Sequence, residues 1–372
     1  MQPSDTRVFV GMSGGVDSSV AAALCVEQGY QVTGVYMKNW TQDVAGVECQ
    51  WRDDLADAKS VAAQLSIPLQ VFDFEAEYKQ RVVDYMIHEY ATGRTPNPDI
   101  ICNQEIKFKL FLEAAQEQGA DMIATGHYAR NWEGRLFAGL DERKDQSYFL
   151  YRVSRDALRT TLFPLGRYNK EYVRYLAEQH NLPTANKPDS QGICFIGEVG
   201  IVDFLCEYVE TEPGPIRHYV SGDILGEHKG ALFYTIGQRH GLHIGGAVRD
   251  GVGGGGLPLY VVSKDMSSNT VFVTEDLNAL LADELHLKET HWLRQPSSDV
   301  SPSNLYVRTR HLGKLQPLHD LQISHDAVRL QLATPERALA PGQSAVVYQQ
   351  QPEGMEVLGG GVIATVAQKP KP

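Results

Sequence analysis

The sequence predicts an α/β N-terminal domain on a parallel sheet, then a small central domain that is mostly β, then a C-terminal antiparallel β-barrel. Three observations predict it. Through the first half, apolar runs of strand length alternate with stretches of helical apolar spacing, the pattern of a parallel sheet covered by helices. From His218 the chain becomes Gly-rich and short-stranded. From Leu285 short alternating segments recur between turn residues, as in a small barrel. A chain of 372 residues exceeds one typical domain, and the expected boundaries are 1–210, 211–281 and 282–367.

The elements follow in order. Val8-Phe9-Val10 reads as a buried strand, and Val20 to Leu24 as the start of a helix that ends at Gln28-Gly29, where Gly suits a helix C-terminus. Val32 to Met37 is a second strand. Asp53 to Leu65 has helical spacing and Pro68 follows it; Leu69 to Phe72 is a third strand. Tyr78 to Tyr90 and Phe108 to Gln118 read as helices, and Met122 to Thr125 as a fourth strand closing on Gly126-His127-Tyr128. Thr95 to Asn103 carries two prolines and reads as an ordered loop, with the next helix starting near Glu105. Leu158 to His180 is helical with a break at Leu162 to Gly166; Ala185 to Gly197 is loop; Phe204 to Val209 is a short helix; Pro213-Gly214-Pro215 marks a domain boundary. Leu232 to Ile236 and Leu259 to Val262 read as strands, and Gly251 to Gly256 as a flexible connector. Barrel strands are expected over His286–Leu293, Leu305–Arg310, Val328–Leu332, Ala345–Tyr348 and Val357–Val366. Along Leu305 to Arg310, Leu305 and Val307 face in and Arg308 and Arg310 face out.

Composition narrows the function. No apolar run reaches the ~18–20 residues of a membrane span, and Met1 to Asp5 lack a signal peptide's basic and apolar regions. A cytoplasmic protein with no membrane partner is expected. Five scattered cysteines, Cys25, Cys49, Cys102, Cys194 and Cys206, make neither a disulfide framework nor a zinc motif, and the apo chain is expected to hold no metal. The net charge of −12 argues globally against a nucleic-acid partner. Locally it does not: between Arg143 and Arg174 lie eight basic and three acidic residues, and Arg308-Thr309-Arg310-His311 with Lys314 forms a second basic spot.

The chemistry starts at Gly11-Met12-Ser13-Gly14-Gly15-Val16-Asp17-Ser18, a Gly-rich turn between strand and helix. Such a turn aims backbone N–H groups and a helix dipole at a phosphate. No Lys follows the glycines, so it is not a Walker A loop, and the spacing is not that of a dinucleotide fingerprint. It offers hydroxyls, close backbone approach and, in Asp17, a carboxylate able to hold Mg²⁺ with ATP. It resembles the pyrophosphate loop of N-type ATP pyrophosphatases, which adenylate a substrate. Two cysteines stand out, Cys194 in a polar, Gly-bearing loop and Cys102, which taken alone also reads as a buried filler thiol. Cys102 follows Asp99 by three residues, near a helix N-terminus that stabilises a thiolate. Cys194 sits in Asp189-Ser190-Gln191-Gly192-Ile193-Cys194-Phe195-Ile196-Gly197. An adenylating loop with two reactive thiols suggests that ATP activates an oxygen and a persulfide then attacks the activated carbon.

The set Ser-Gly-Gly-Val-Asp-Ser, Asn-Pro-Asp-x-x-Cys-Asn, Thr-Gly-His-Tyr, Lys-Asp-Gln-Ser-Tyr-Phe-Leu, Asp-Ser-x-Gly-Ile-Cys-Phe-Ile-Gly and Tyr-Thr-Ile-Gly-Gln-Arg resembles the bacterial tRNA-specific 2-thiouridylases, over the whole chain and in order. The resemblance implies an N-terminal domain like the adenine nucleotide alpha-hydrolases. It implies ATP-dependent 2-thiolation of the wobble uridine (position 34) of the tRNAs for Lys, Glu and Gln, with a cysteine desulfurase or sulfur-relay protein as partner. Position by position it implies ATP at Gly11 to Ser18, Met37 and Gly126; the target base at Asn97, Pro98 and Asp99, with Asp99 a candidate acid/base; and a persulfide on Cys194. It implies Cys102 as second catalytic cysteine, able to form a transient disulfide with Cys194, and tRNA contacts at His127, Lys144, Asp145, Gln146, Arg310, His311 and Gln343. Cys25, Cys49 and Cys206 match no family motif and read as structural.

Three other readings are weaker on the residues. An amidotransferase or ligase acting on a small metabolite would share the loop, but has no use for two loop thiols or a basic barrel. An RNA-binding module without chemistry would not need Asp17, Asp99, Cys102 and Cys194. An iron–sulfur cluster has two cysteines here where four are usual.

Overall fold

The computed structural model describes residues 2–44, 46–189, 200–242, 244, 257–297, 300–324 and 327–368. Cys194 and the run Gly251 to Gly256 lie outside the described residues.

The N-terminal domain begins with β1 (Arg7–Gly11), α1 (Val16–Glu27), β2 (Gln31–Lys38), α2 (Trp51–Gln64) and β3 (Leu69–Asp73). Gly29, at φ +87°, ends α1 in the left-handed region. A helical run follows, α3 (Glu75–Tyr78), a π-helical turn (Lys79–Val83) and α4 (Asp84–Ala91). The next helix is α5 (Pro98–Ile101), continued by the π-helical segment Cys102–Leu110 and by α6 (Phe111–Glu117). It starts at Pro98, not near Glu105, so the segment read as a loop is its first turn. Proline is favoured there because its missing N–H has no helical acceptor to lose. Then come β4 (Met122–Ala124), β5 (Ala129–Trp132), β6 (Arg135–Ala138), α7 (Arg155–Arg159), β7 (Thr161–Leu162), α8 (Lys170–Gln179) and α9 (Ile201–Cys206). Thr161, read as helical, and Leu162, read as the start of a break, instead form an edge strand, because their backbone completes the ladder beside Ile123 and Ala124.

One sheet runs β3-β2-β1-β4-β7 and every pairing in it is parallel. The order reverses at β1, which lies between β2 and β4. The crevice beyond their carboxyl ends is where such sheets bind ligands.

The central domain has β8 (Gly214–His218), β9 (Ile224–His228), β10 (Tyr260–Asp265) and β11 (Thr270–Thr274), in the order β10-β11-β8-β9. Leu232 to Ile236 is not a strand. Ala231–Phe233 is a single 3₁₀ turn, because the Phe233 and Tyr234 N–H groups bond back to the Gly230 (3.3 Å) and Ala231 (3.2 Å) carbonyls instead of to a neighbouring strand.

The C-terminal domain comprises β12 (Leu281–Trp292), β13 (Leu305–Arg308), β14 (Gln316–Ile323), β15 (Val328–Arg337), β16 (Ser344–Gln351) and β17 (Gly354–Gln368). Antiparallel pairing in the order β12-β15-β14-β13-β16-β17 is closed by β12 on β17. β14 was not legible in the sequence. Gly359 and Gly360 let β17 turn the corner of the barrel: a Cβ on either would overlap the carbonyl of His291 or Ala345.

The hairpin β5–β6 belongs to the N-terminal domain in sequence and to the barrel in space. It extends the barrel sheet at β17, with Phe137 opposite Glu356. One buried cluster accordingly spans all three domains, from Phe111 and Tyr148 through Phe204 and Val261 to Tyr348.

Candidate active site

The Gly-rich turn is held by its own hydroxyls. Ser18 Oγ accepts from the Ser13 N–H (3.1 Å) and donates to the Gly15 carbonyl (3.0 Å). Ser19 Oγ donates to the same carbonyl (2.8 Å). Gly14 has φ +77°. Gly15 precedes α1 with no side-chain cap, so the first N–H groups of that helix are presented to the crevice. Met37, from the end of β2, lies against Gly11: its Cε is 3.0 Å from where a Gly11 Cβ would stand. Gly126, after β4, packs on the start of α1, where a Cβ would come within 2.8 Å of the Ser18 nitrogen. Three separate stretches of sequence thus meet at one end of the sheet.

Two residues that sequence reasoning missed complete this end. Tyr128 donates to Asp17 Oδ1 (2.8 Å), and burial followed by the Asp17 charge pushes its phenol far up, which keeps it a donor. Lys170, from the first turn of α8, reaches Asp17 Oδ1 (2.7 Å) and Asp189 Oδ1 (2.8 Å). The lysine that the loop lacks therefore arrives from another helix. Its signal was the basic run Arg143 to Arg174, which contains it. Asp189 also takes Lys144 (2.6 Å) and Arg174 (2.7 Å). Burial opposes its charge, but the hydrogen bonds from Lys144 and Lys170 outweigh it and hold the carboxyl at about 2. Much of the basic run is therefore spent on carboxylates beside the crevice rather than on open surface.

The loop expected to take a target base is clamped by the other domains. Gln343 Nε2 donates to the carbonyl of Thr95 (2.8 Å), the Thr95 N–H donates to Pro341 O (3.0 Å), and the Thr95 and Thr235 hydroxyls are 3.0 Å apart. Asn97 and Asp99 are half-buried, while Pro98 is buried. Asp99 lies in the first helical turn, where a carboxylate is favoured by the dipole. Cys102 is in the second turn, so the dipole argument for its thiolate weakens, and it is 1% exposed among Ile100, Ile101, Ile106 and Phe108. Asn103 Nδ2 donates to the Phe149 carbonyl (3.2 Å), and the Phe149 ring lies 4.3 Å from the His311 ring. The side-chain oxygens of Asn97, Asn103 and Gln104 and His311 Nδ1 are buried without a hydrogen-bond partner, unmet polar groups around one region.

The residues expected to contact RNA do not form one exposed surface. Arg310 is open, its side chain 59% exposed. Lys144 is paired with Asp189, and Gln146 Oε1 accepts from the Tyr128 N–H (3.0 Å). His127 is buried against Phe108 and Phe163 with Nδ1 2.8 Å from Thr125 Oγ1; burial, then Lys107, holds its imidazole neutral. Asp145 is 1% exposed and receives Arg308 Nη1 (2.6 Å). Arg308 faces out of the barrel as expected, yet it is buried, because the N-terminal domain covers that face. As they stand, His127 and Asp145 can act on a docked RNA only through their neighbours.

Three family models match consecutive parts of the chain: a tRNA methyl transferase HUP domain over residues 6–198, a tRNA methyl transferase PRC-barrel domain over 202–275, and an aminomethyltransferase β-barrel domain over 282–363. Among curated relatives, the tRNA-specific 2-thiouridylase of Nitrosomonas eutropha is 46% identical over 96% of this chain and 98% of its own length. Those of Tolumonas auensis and Yersinia pestis are each 47% identical over 97% of this chain, and over 97% and 96% of their own. The chain belongs to the tRNA-specific 2-thiouridylase family.

In this 2-thiouridylase family member the remaining described cysteines divide by burial. Cys25 is fully buried and pushed up to about 12, an inert core thiol. Burial also raises Cys49, and Cys206 is exposed. Among the described residues no three His, Cys, Asp or Glu side chains gather into a metal centre. Asp17 suits Mg²⁺, which takes one or two carboxylates together with substrate phosphates. No described helix is long and apolar enough to cross a membrane.

His311 gives the domain joint a pH response. Burial holds its imidazole at about 4. Below its ordinary value of about 6.5, the unfolded chain takes up a proton that the folded chain refuses until about pH 4. Stability at this joint is therefore full above pH 7 and falls as pH drops from 6.5 towards 4. His311→Phe should flatten that part of the melting-temperature profile. An unchanged slope between pH 7 and 5 would exclude His311 as its source.

Proposed function

We propose that the protein is an ATP-dependent tRNA sulfurtransferase that converts the wobble uridine (position 34) of the tRNAs for Lys, Glu and Gln to 2-thiouridine, in the cytoplasm. The observation that carries this reading is the meeting of the Gly11–Ser18 loop, Met37 and Gly126 at the carboxyl end of the sheet, in a chain of this family. The domains proposed are 1–210 for adenylation, 211–281 as the central module and 282–367 for tRNA.

ATP lies with its phosphates at the α1 N-terminus and its adenine by Met37 and Gly126; Asp17 would hold Mg²⁺, which supplies charge neutralisation at the phosphates. Asn97, Pro98 and Asp99 hold the uracil. Its O2 attacks the α-phosphorus, the bond to the β-phosphate oxygen breaks, and pyrophosphate leaves. Asp99 takes the N3 proton. The terminal sulfur of a Cys194 persulfide then attacks C2, and AMP leaves with the oxygen. The Cys102 thiolate attacks the inner sulfur, the sulfur–sulfur bond breaks with its electron pair left on the base, and Asp99 returns the proton to N3 to give the thiocarbonyl. The two cysteines end as a disulfide, which a dithiol reductant resets before a cysteine desulfurase or sulfur-relay protein reloads Cys194. Lys144, Gln146, Arg310, His311 and Gln343 line the tRNA side, with His127 and Asp145 behind them.

Mass spectrometry of tRNA nucleosides after incubation with ATP and a persulfide source tests the reading. One 2-thiouridine per AMP formed is expected. A methylated nucleoside, as the domain descriptions would suggest, or ATP turnover with a metabolite and no tRNA, would overturn it.

Gly14→Ala is expected to weaken ATP binding by at least about tenfold, a little over 1 kcal/mol. An alanine there is strained at φ +77°, and its Cβ would overlap the Asp54 carbonyl, so the loop must move. Titration calorimetry with MgATP measures it; unchanged affinity would remove the loop from the site.

A further inference from the structure

The ammonium of Lys170 is shared by two carboxylates with different duties. Asp17 belongs to the phosphate loop. Asp189 is the last described residue before the stretch that holds Cys194, five positions on. The lysine's backbone is fixed: Asn169 Oδ1 caps α8 by accepting from the Tyr172 N–H (2.8 Å), and the Lys170 N–H donates to Asp141 Oδ2 (2.9 Å). Val173 and Ala177, on the inner face of α8, are fully buried. The side chain is only 13% exposed. It is not a solvated lysine that has found a partner by chance.

The segment from Ala185 to Asp189 is attached by charge at each step. Arg174 Nη1 donates to the carbonyls of Ala185 (3.0 Å) and Lys187 (3.2 Å), and its Nη2 to Asp189. Lys187 reaches Asp54 (2.8 Å) and Asp57 (2.5 Å) on α2. Lys144 and Lys170 hold Asp189. Among the described residues, Lys170 connects this segment directly to a residue of the phosphate loop. Lys170 and Tyr128 both use Oδ1 of Asp17.

We propose that Lys170 is a positioning residue that couples occupancy of the phosphate loop to the placement of the Ala185–Asp189 segment, through one ammonium held by Asp17 and Asp189. Asp17 would take the Mg²⁺ that comes with ATP and so compete less for the ammonium, and Asp189, keeping more of it, would be more firmly held. Linkage makes this reciprocal: whatever holds Asp189 favours nucleotide binding. The inference rests on the ATP reading above.

Hydrogen–deuterium exchange on the whole chain, with and without saturating MgATP, tests it, with calorimetry reporting ATP binding separately. In the wild type MgATP should slow amide exchange over 186–189 by about fivefold or more, the lower range of measured couplings. Lys170→Met should still bind ATP at raised concentration and show no such slowing. Lys170→Arg should restore it. Asp189→Asn should lose the slowing and, by the same linkage, weaken ATP binding by about the coupling factor, no more than about tenfold. The difference with and without ATP cancels any general loosening, so a merely structural role does not reproduce this pattern. Equal slowing in Lys170→Met and the wild type overturns the coupling and leaves the ATP site standing. No ATP binding by the wild type overturns both.

Discussion

Cys194→Ser abolishes 2-thiouridine formation, a loss of at least about a thousandfold, while tRNA binding and tRNA-dependent ATP–pyrophosphate exchange stay within about threefold of the wild type. The hydroxyl of serine cannot carry a sulfane sulfur, so no nucleophile is left for the activated carbon. In the proposed sequence adenylation precedes sulfur transfer and uses Asp17 and the α1 N-terminus, which the change leaves alone. Cys102→Ser separates the two thiols. Sulfur can still be loaded on Cys194 and passed to C2, but the attack that breaks the sulfur–sulfur bond is lost, so a covalent Cys194–S–S–tRNA adduct should accumulate and turn over slowly. Thiolation of tRNA, ATP–pyrophosphate exchange and intact-protein mass together check this. A Cys194→Ser enzyme thiolating at normal rate would end the persulfide assignment.

Asp145→Ala destabilises the protein by about 3–5 kcal/mol, because it strands the Arg308 cation in a buried joint. Asp145 accepts from the Gly139 N–H (2.9 Å) and from the Ser147 N–H and hydroxyl (3.1 Å each), while Arg308 lies over the Tyr348 ring at 5.4 Å. Tyr148 and Tyr151 bond to Ser344 in the same joint. The loss therefore falls on docking of the barrel to the N-terminal domain, and tRNA affinity falls with it while ATP affinity does not. Asp145→Ala with Arg308→Met removes both charges and should recover at least half of the loss. Denaturant unfolding of the single and double variants measures it. Losses that simply add would mean that the two side chains are not coupled.

The parallel sheet and its ligand end were legible because they rest on local signals. An apolar run before glycines, and Gly29 and Gly119 closing helices, need no tertiary information. Pro98 shows the limit of such rules: a proline breaks a helix interior but opens a helix at its first turn. The hairpin Ala129–Ala138 was missed because Arg130, Asn131 and Glu133 show no alternation; its burial comes from a barrel far along the chain. Arg308 was read on the correct face of its strand, yet the sequence cannot say that another domain covers that face. The same burial separates His127 and Asp145 from Arg310, although all three were marked by one resemblance. Lys170 lay within a noted charge run, but only the fold reveals which lysine of that run meets Asp17.

The strand that β6 lends to the barrel has a consequence during synthesis. Arg135 finds Glu356 across 221 positions of chain. At about 5–20 residues per second, the ribosome takes roughly 10–45 s to supply the partner. For that time Leu136 and Phe137, later buried, have no β17 to cover them, and the newborn N-terminal domain carries an open, apolar strand edge. Chaperone dependence should accordingly concentrate in that interval, and ribosome-bound chains stalled before residue 354 should capture chaperone more strongly than chains that have released the barrel.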